Sequence, residues 1–158
     1  MMNDRKYLRV CTFLLICNIA FIWGNSLLPG SVSGAISGWI NDLVHMLFPD
    51  SGEEPGTSHG LLRKLAHFTE FAVLGMLLVW QFGMRKVPRW AKYALPLLGG
   101  FLVACCDETI QRFVPDRGPS LIDVGIDTLG TSLGIVLITL VNYTRKRKNK
   151  KYLEENKQ

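Results

Sequence analysis

The chain has 158 residues, 48% of them hydrophobic and 20% charged, with 18 Lys and Arg against 13 Asp and Glu and a formal net charge of +5. Its mean hydropathy is +0.19. That balance excludes an intrinsically disordered chain, which lacks the apolar content to fold, and an ordinary soluble domain, while the length points to a single domain.

The apolar residues fall into four charge-free blocks, Val10–Leu28, Phe71–Met84, Tyr93–Cys106 and Thr128–Thr144. A spanning helix needs about 20 mostly apolar residues. The first block comes close, and span one is expected over Tyr7–Leu28. Its basic start (Arg5, Lys6, Arg9) and its small pair Gly24 and Ser26 also fit a signal peptide. The apolar stretch is long for a signal core, so retention as a membrane anchor is expected. The loop Pro29–Gly60 follows. In it Val32, Ile36, Trp39, Ile40, Leu43, Val44 and Leu47 recur mostly at three- and four-residue steps, which predicts an outer amphipathic helix lying on the leaflet or over the helix ends. Pro49–Ser58 reads as a flexible acidic loop.

The remaining blocks reach a full span only by absorbing polar neighbours. Span two, Leu61–Met84, absorbs Arg63, Lys64, His67 and Glu70. Span three, Tyr93–Phe113, absorbs Asp107, Glu108, Gln111 and Arg112. Span four, Ser120–Tyr143, absorbs Asp123 and Asp127. The predicted fold class is therefore all-α, a polytopic membrane protein of four transmembrane helices: a membrane domain over 1–144 and a basic tail over 145–158. Cys11, Cys17, Cys105 and Cys106 all lie in spans and form no CxxC, so neither a disulfide framework nor thiolate-bound zinc is expected. Gly130 and Gly134 form a GxxxG, a signal for close helix packing.

Lys and Arg then sort by segment. Arg5, Lys6 and Arg9 precede span one. Arg85, Lys86, Arg89 and Lys92 join spans two and three. Arg145, Lys146, Arg147, Lys148, Lys150, Lys151 and Lys157 end the chain, whereas Pro29–Gly60 has none but carries Asp42, Asp50, Glu53 and Glu54. By the positive-inside rule both termini are expected in the cytoplasm. The net positive charge is thus a topology signal. The run Arg145–Lys151 reads as an anchor on anionic headgroups, and nucleic acid is not an expected partner.

With that topology every absorbed polar residue lies at the outer end of its span, and within each helix most share a face. Arg63, His67 and Glu70 are four and three apart, Asp107 and Gln111 four apart with Glu108 one step round, and Ser120, Asp123, Asp127 and Thr131 three, four and four apart. Stripes at one depth should face one another, because an ionised group at the bilayer centre costs roughly 2.5–3.5 kcal/mol on insertion scales. Pro115, Gly118 and Pro119 make the turn Val114–Pro119 tight enough to hold Arg117 over the cluster, where a guanidinium suits bidentate capture of phosphate or carboxylate.

Those stripes admit three readings: a buried ion-pair network that locks the helices, a binding site, or an enzyme site. The expected substrate-binding set is Arg63, Lys64, His67, Glu70, Asp107, Glu108, Gln111, Arg117, Ser120, Asp123 and Asp127. For an enzyme acting on a lipid headgroup or lipid-linked phosphate, His67, Glu70 and Asp123 are the acid–base candidates, and Asp107, Glu108 and Asp123 the oxygen ligands for a divalent metal. Pro-Ser-Gly-His, Gly-x-Ser-x-Gly and His-Glu-x-x-His motifs are absent. The inner halves Val73–Val79 and Ile135–Leu140 lack an ionisable relay, which argues against an ion or proton pathway. The sequence signals no cofactor and identifies no metal. The expected partners are membrane lipids.

At these residues the chain resembles the VanZ-like membrane protein family. The match is carried by Arg63-Lys64-Leu65-Ala66-His67-Phe68-Thr69-Glu70-Phe71, by Asp107-Glu108-Thr109-Ile110-Gln111, and by Pro115-Asp116-Arg117-Gly118-Pro119-Ser120 followed by Asp123, Asp127, Gly130 and Gly134. It spans about residues 15 to 142. Asp127 departs from it, since the family often has Asn there. The family takes its name from a protein linked to teicoplanin resistance. The resemblance implies a small integral membrane protein of the cell envelope. On the binding reading of the polar stripes, the expected ligand is a lipid-linked or glycan headgroup, or a lipoglycopeptide with an acyl tail such as teicoplanin.

Overall fold

A computed structural model describes residues 2–47 and 59–156. Five helices follow in order: α1 (Met2–Ser26), α2 (Gly30–Leu47), α3 (His59–Gly83), α4 (Ala91–Gln111) and α5 (Leu121–Glu155). No strand occurs among the described residues. α1, α3, α4 and α5 are each long and apolar enough to cross a membrane, and the chain is a multi-pass membrane protein. The amphipathic helix expected after span one is α2. The predicted acidic loop Pro49–Ser58 lies outside the described residues.

Two boundaries differ from expectation. α1 begins five residues before Tyr7, because the N-terminal basic residues have good helix propensity and nothing breaks the pattern. α5 runs on to Glu155, 35 residues in all, instead of stopping near Tyr143. Lys150–Glu154 and Lys151–Glu155 ion pairs at i,i+4 spacing (3.7 and 3.6 Å) support its last turns. At 1.5 Å per residue α5 is about 52 Å long, well beyond a hydrocarbon core of about 30 Å.

The bundle is organised around α3. Its buried Phe71, Leu74 and Leu78 form one core cluster with Ile22 of α1, Ala104 of α4 and Val124 of α5. Large apolar side chains elsewhere point outward, as expected for a lipid-facing surface: Phe13 is 66% exposed, Ile16 60%, Leu102 54% and Leu129 64%. α1 and α3 are antiparallel, since Asn25 pairs with Glu70 at one end and Thr12 with Gln81 at the other.

The contact between α3 and α5 is one of backbone on backbone. A Cβ placed on Gly130 would lie 2.4 Å from Phe68 O, and one on Gly134 would lie 1.9 Å from Ala72 O. From the other side, a Cβ on Gly75 would lie 2.2 Å from Thr131 O. The predicted GxxxG packing is therefore present, with its partner on α3. Small residues permit this closeness, and dispersion between closely packed helices replaces the hydrophobic drive that lipid cannot supply.

The alternation of helix direction sends Arg5, Lys6, Arg9, the α3–α4 turn and the basic end of α5 to one end of the bundle. The absorbed polar residues collect at the other. Gly134→Ala should force α3 and α5 apart and cost about 1–3 kcal/mol, the usual range for overpacking a tight contact. Reversible unfolding of the variant in mixed micelles against wild type measures it.

Candidate polar site at one end of the bundle

The site starts with how each helix ends. α1 stops at Asn25-Ser26, and both side chains turn into the bundle. Asn25 Nδ2 donates to Glu70 Oε1 at 2.7 Å, and Ser26 is fully buried. Gln111 Nε2 donates to Ser26 Oγ at 3.2 Å and to Asp107 Oδ2 at 2.8 Å, so it bridges the ends of α1 and α4. α5 begins after Ser120, whose hydroxyl accepts from Asp123 N as a helix N-cap. The backbone N–H of Ser120 donates to Glu108 Oε2 at 2.7 Å.

The α4–α5 turn is held against the α1–α2 turn. Gly30 N donates to Pro115 O at 3.2 Å, and a Cβ on Gly30 would lie 2.3 Å from Asp116 O. Asp116 takes the left-handed conformation at φ 60°, a shape that short polar side chains tolerate better than most. This knot fixes Arg117. Its Nη2 donates to Asn25 O at 3.2 Å, while its Nε and Nη1 are buried without a hydrogen-bond partner among the described residues. Burial, and then the charge of Arg63, push the Arg117 pKa below the ordinary guanidinium value. Two like charges facing one cavity favour an anion between them.

That cavity has a volume of about 350 Å³. Arg63, His67, Glu70, Asn25 and Arg117 supply its polar side, and Leu28, Ile36, Leu62 and Leu65 its apolar side. α2 contributes Ser33 and Ile36, so the amphipathic helix is one wall of the cavity. A second, polar void of about 10 Å³ lies deeper, bordered by Arg63, Lys64, His67, Glu108, Gln111, Asp123 and Asp127. It is the size of one water molecule. His67 borders both.

All eleven expected site residues thus converge on one end of the bundle. Arg112 and Asp116, charged residues of the same region, stay exposed. Lys64 Nζ lies 3.0 Å from Asp123 Oδ1. Glu108 and Asp123, which the sequence suggested as metal ligands with Asp107, are engaged by the Ser120 N–H and by Lys64. A different trio is better placed: His67, Asp107 and Asp127 each offer a ligand atom, all within 4.8 Å of one another. Asn25 and Ser26 escaped the sequence reading. Neither is ionisable, and the only signal was a polar pair closing an otherwise apolar helix.

The residues of this end all lie within the stretch that a family model matches. A family model described as VanZ/LLP1 matches residues 10–142. The chain belongs to the VanZ/LLP1 family. No curated protein and no solved structure matches it. In this VanZ/LLP1 protein the matched segment begins inside α1 and ends in α5 just before the basic run. It takes in every residue of the polar end, including Asn25 and Ser26.

The Asn25–Glu70 hydrogen bond joins α3 to α1. Asn25→Leu should leave the Glu70 carboxyl unsatisfied and cost about 1–3 kcal/mol. Unfolding of Asn25→Leu, Glu70→Gln and the double variant in a mutant cycle measures it. The double variant should lose less than the sum of the two single ones.

Proposed function

We propose that this VanZ/LLP1 protein binds the anionic headgroup of an amphiphile, a lipid-linked cell-wall precursor being the first choice, at the outer face of the cell membrane. The observation that carries this is Arg117. Among the described residues it is held by a hydrogen bond to Asn25 O, and its Nε and Nη1 find no partner at a cavity that Arg63 also lines. A phosphate or carboxylate satisfies such a fork bidentately. The mixed lining supports an amphiphile: the guanidinium groups take the anion, Glu70 and Asn25 take hydroxyls or amines, and the apolar wall of Leu28, Ile36, Leu62 and Leu65 takes the start of an acyl chain. Teicoplanin, which combines an acyl chain with ionised groups, has the same chemistry. An effect on teicoplanin susceptibility would follow from its occupying this cavity.

The outward orientation rests on charge. Basic residues occur at both chain ends and in the α3–α4 turn, and the opposite end lacks a comparable excess, so the positive-inside rule puts the polar end outside the cytoplasm. A fluorescent protein fused after Gln158 should fluoresce, and alkaline phosphatase inserted within 48–58 should be active. The reverse pair of results would overturn the orientation and with it an outward site.

Binding is tested by titrating protein in nanodiscs of zwitterionic lipid with a lipid-linked cell-wall precursor, with anionic phospholipid and with teicoplanin. Wild type should saturate. Arg117→Ala should weaken binding about tenfold or more, since a charge-assisted hydrogen bond contributes roughly 1.5–3 kcal/mol. Arg117→Lys, which keeps the charge but not the fork, should fall between. Absence of saturable binding to any of the three, at unchanged thermal stability, would sink the reading.

A further inference from the structure

Four carboxylates at the polar end lack a Lys or Arg partner among the described residues. Among the described residues no Lys or Arg nitrogen lies within 4.0 Å of Glu70, Asp107, Glu108 or Asp127, whereas Asp123 has Lys64. With His67 left out of the count, Glu70, Asp107, Glu108, Asp123 and Asp127 face Arg63, Lys64 and Arg117, a formal excess of two negative charges when every carboxyl is ionised. A water-poor site relieves such an excess either by keeping carboxyl protons or by binding a cation.

The compensation has a place to sit. Asp107 is 0% exposed, and its Oδ1 is buried with no hydrogen-bond partner among the described residues. His67 Nδ1 is likewise buried and unpartnered. It lies 4.0 Å from Asp107 Oδ2 and 3.8 Å from Glu70 Oε2. These separations are too wide for hydrogen bonds. They are a few tenths of an ångström wider than the roughly 3.3–3.6 Å between two ligand atoms each about 2.0–2.2 Å from one tetrahedral cation, so small side-chain rotations would close the group on an ion. Asp127, 2% exposed, closes the group from α5, with its ligand atom within 4.8 Å of those of His67 and Asp107. The three residues come from α3, α4 and α5, and two of them, His67 and Asp127, border the void of about 10 Å³.

The geometry points to a divalent-cation site formed by His67, Asp107 and Asp127 beneath the headgroup cavity. One imidazole and two carboxylates suit zinc or manganese better than magnesium, which prefers an all-oxygen shell. Two aspartates and one such ion are together neutral, which removes the charge excess. Because His67 borders both the void and the larger cavity, the ion would stand where a bound phosphate or carboxylate oxygen could approach it. This extends the headgroup reading to the floor of the same site, but its test uses metal alone and does not depend on that reading.

Purified full-length protein in nanodiscs of zwitterionic lipid is stripped with a chelator and titrated with Zn²⁺, Mn²⁺ and Mg²⁺, with no amphiphile added. Wild type should take up one Zn²⁺ or Mn²⁺ per chain by elemental analysis, with saturation and a raised melting temperature, and should hold Mg²⁺ at least tenfold more weakly. Asp127→Leu and His67→Phe should each weaken uptake at least tenfold, and Glu155→Gln should not change it. Should those two variants fail to fold, Co²⁺ bound to wild type decides. Visible bands of a low-symmetry nitrogen–oxygen shell support the site, and the spectrum of the hydrated ion overturns it. Absence of saturable uptake by wild type, or uptake unchanged in folded Asp127→Leu and His67→Phe, overturns it too. Metal uptake without precursor binding would leave this site standing and remove the headgroup reading. Precursor binding without metal uptake would do the opposite.

Discussion

A bilayer does not solvate ions, and that constraint shapes this molecule more than any other. Each of α3, α4 and α5 carries ionisable residues in a stretch it needs in order to span. A lipid-facing carboxylate or guanidinium would cost several kcal/mol. The helices are therefore bound to present these stripes to one another. That requirement fixes the rotation of each helix about its axis and draws the ends of α1 and of the α4–α5 turn in to supply donors. The bridge from Gln111 to Ser26 and Asp107 and the bond from Asn25 to Glu70 are products of it.

Polar attraction alone would give a loose, wet bundle. The closeness comes from glycine. Gly130 and Gly134 let the backbone of α5 lie on that of α3, and Gly75 returns the fit at Thr131. This contact starts beside Phe68, one residue after His67, and so sets how near Asp127 comes to His67. Packing and site share the same few residues: the GxxxG that brings the helices together also determines the spacing of the ligand atoms above it. In a bilayer, where lipid tails are as apolar as leucine, such backbone contact is among the few forces that hold one helix on another.

The sequence revealed much of this because membrane folding leaves a simple record. Charge-free blocks marked the spans, the three- and four-residue steps marked α2, and polar residues at matched depths on three helices marked the site. Asn25 and Ser26 stayed hidden because an uncharged polar residue at a helix end is usual anywhere at an interface. That His67, Asp107 and Asp127 bring side-chain atoms within 4.8 Å of one another depends on helix rotation. Glu108 is one residue from Asp107, about 100° round the helix, and is taken up by the Ser120 N–H. The continuation of α5 to Glu155 was missed because the end of the hydrophobic block was read as the end of the helix. Hydrophobicity stops where the membrane does, whereas helix propensity and Lys–Glu pairs carry the helix on.

The buried layer at Thr131 gives the polar end a distinct character. Thr131 is wedged between Gly75 of α3 and Gly100 of α4, and below the charged residues Phe71, Leu74 and Leu78 fill the interior. The cavity of about 350 Å³ lies on the polar side of this plug. An amphiphile bound there, as proposed, would exchange with the lipid and water at that end, and the property to follow would be its dwell time.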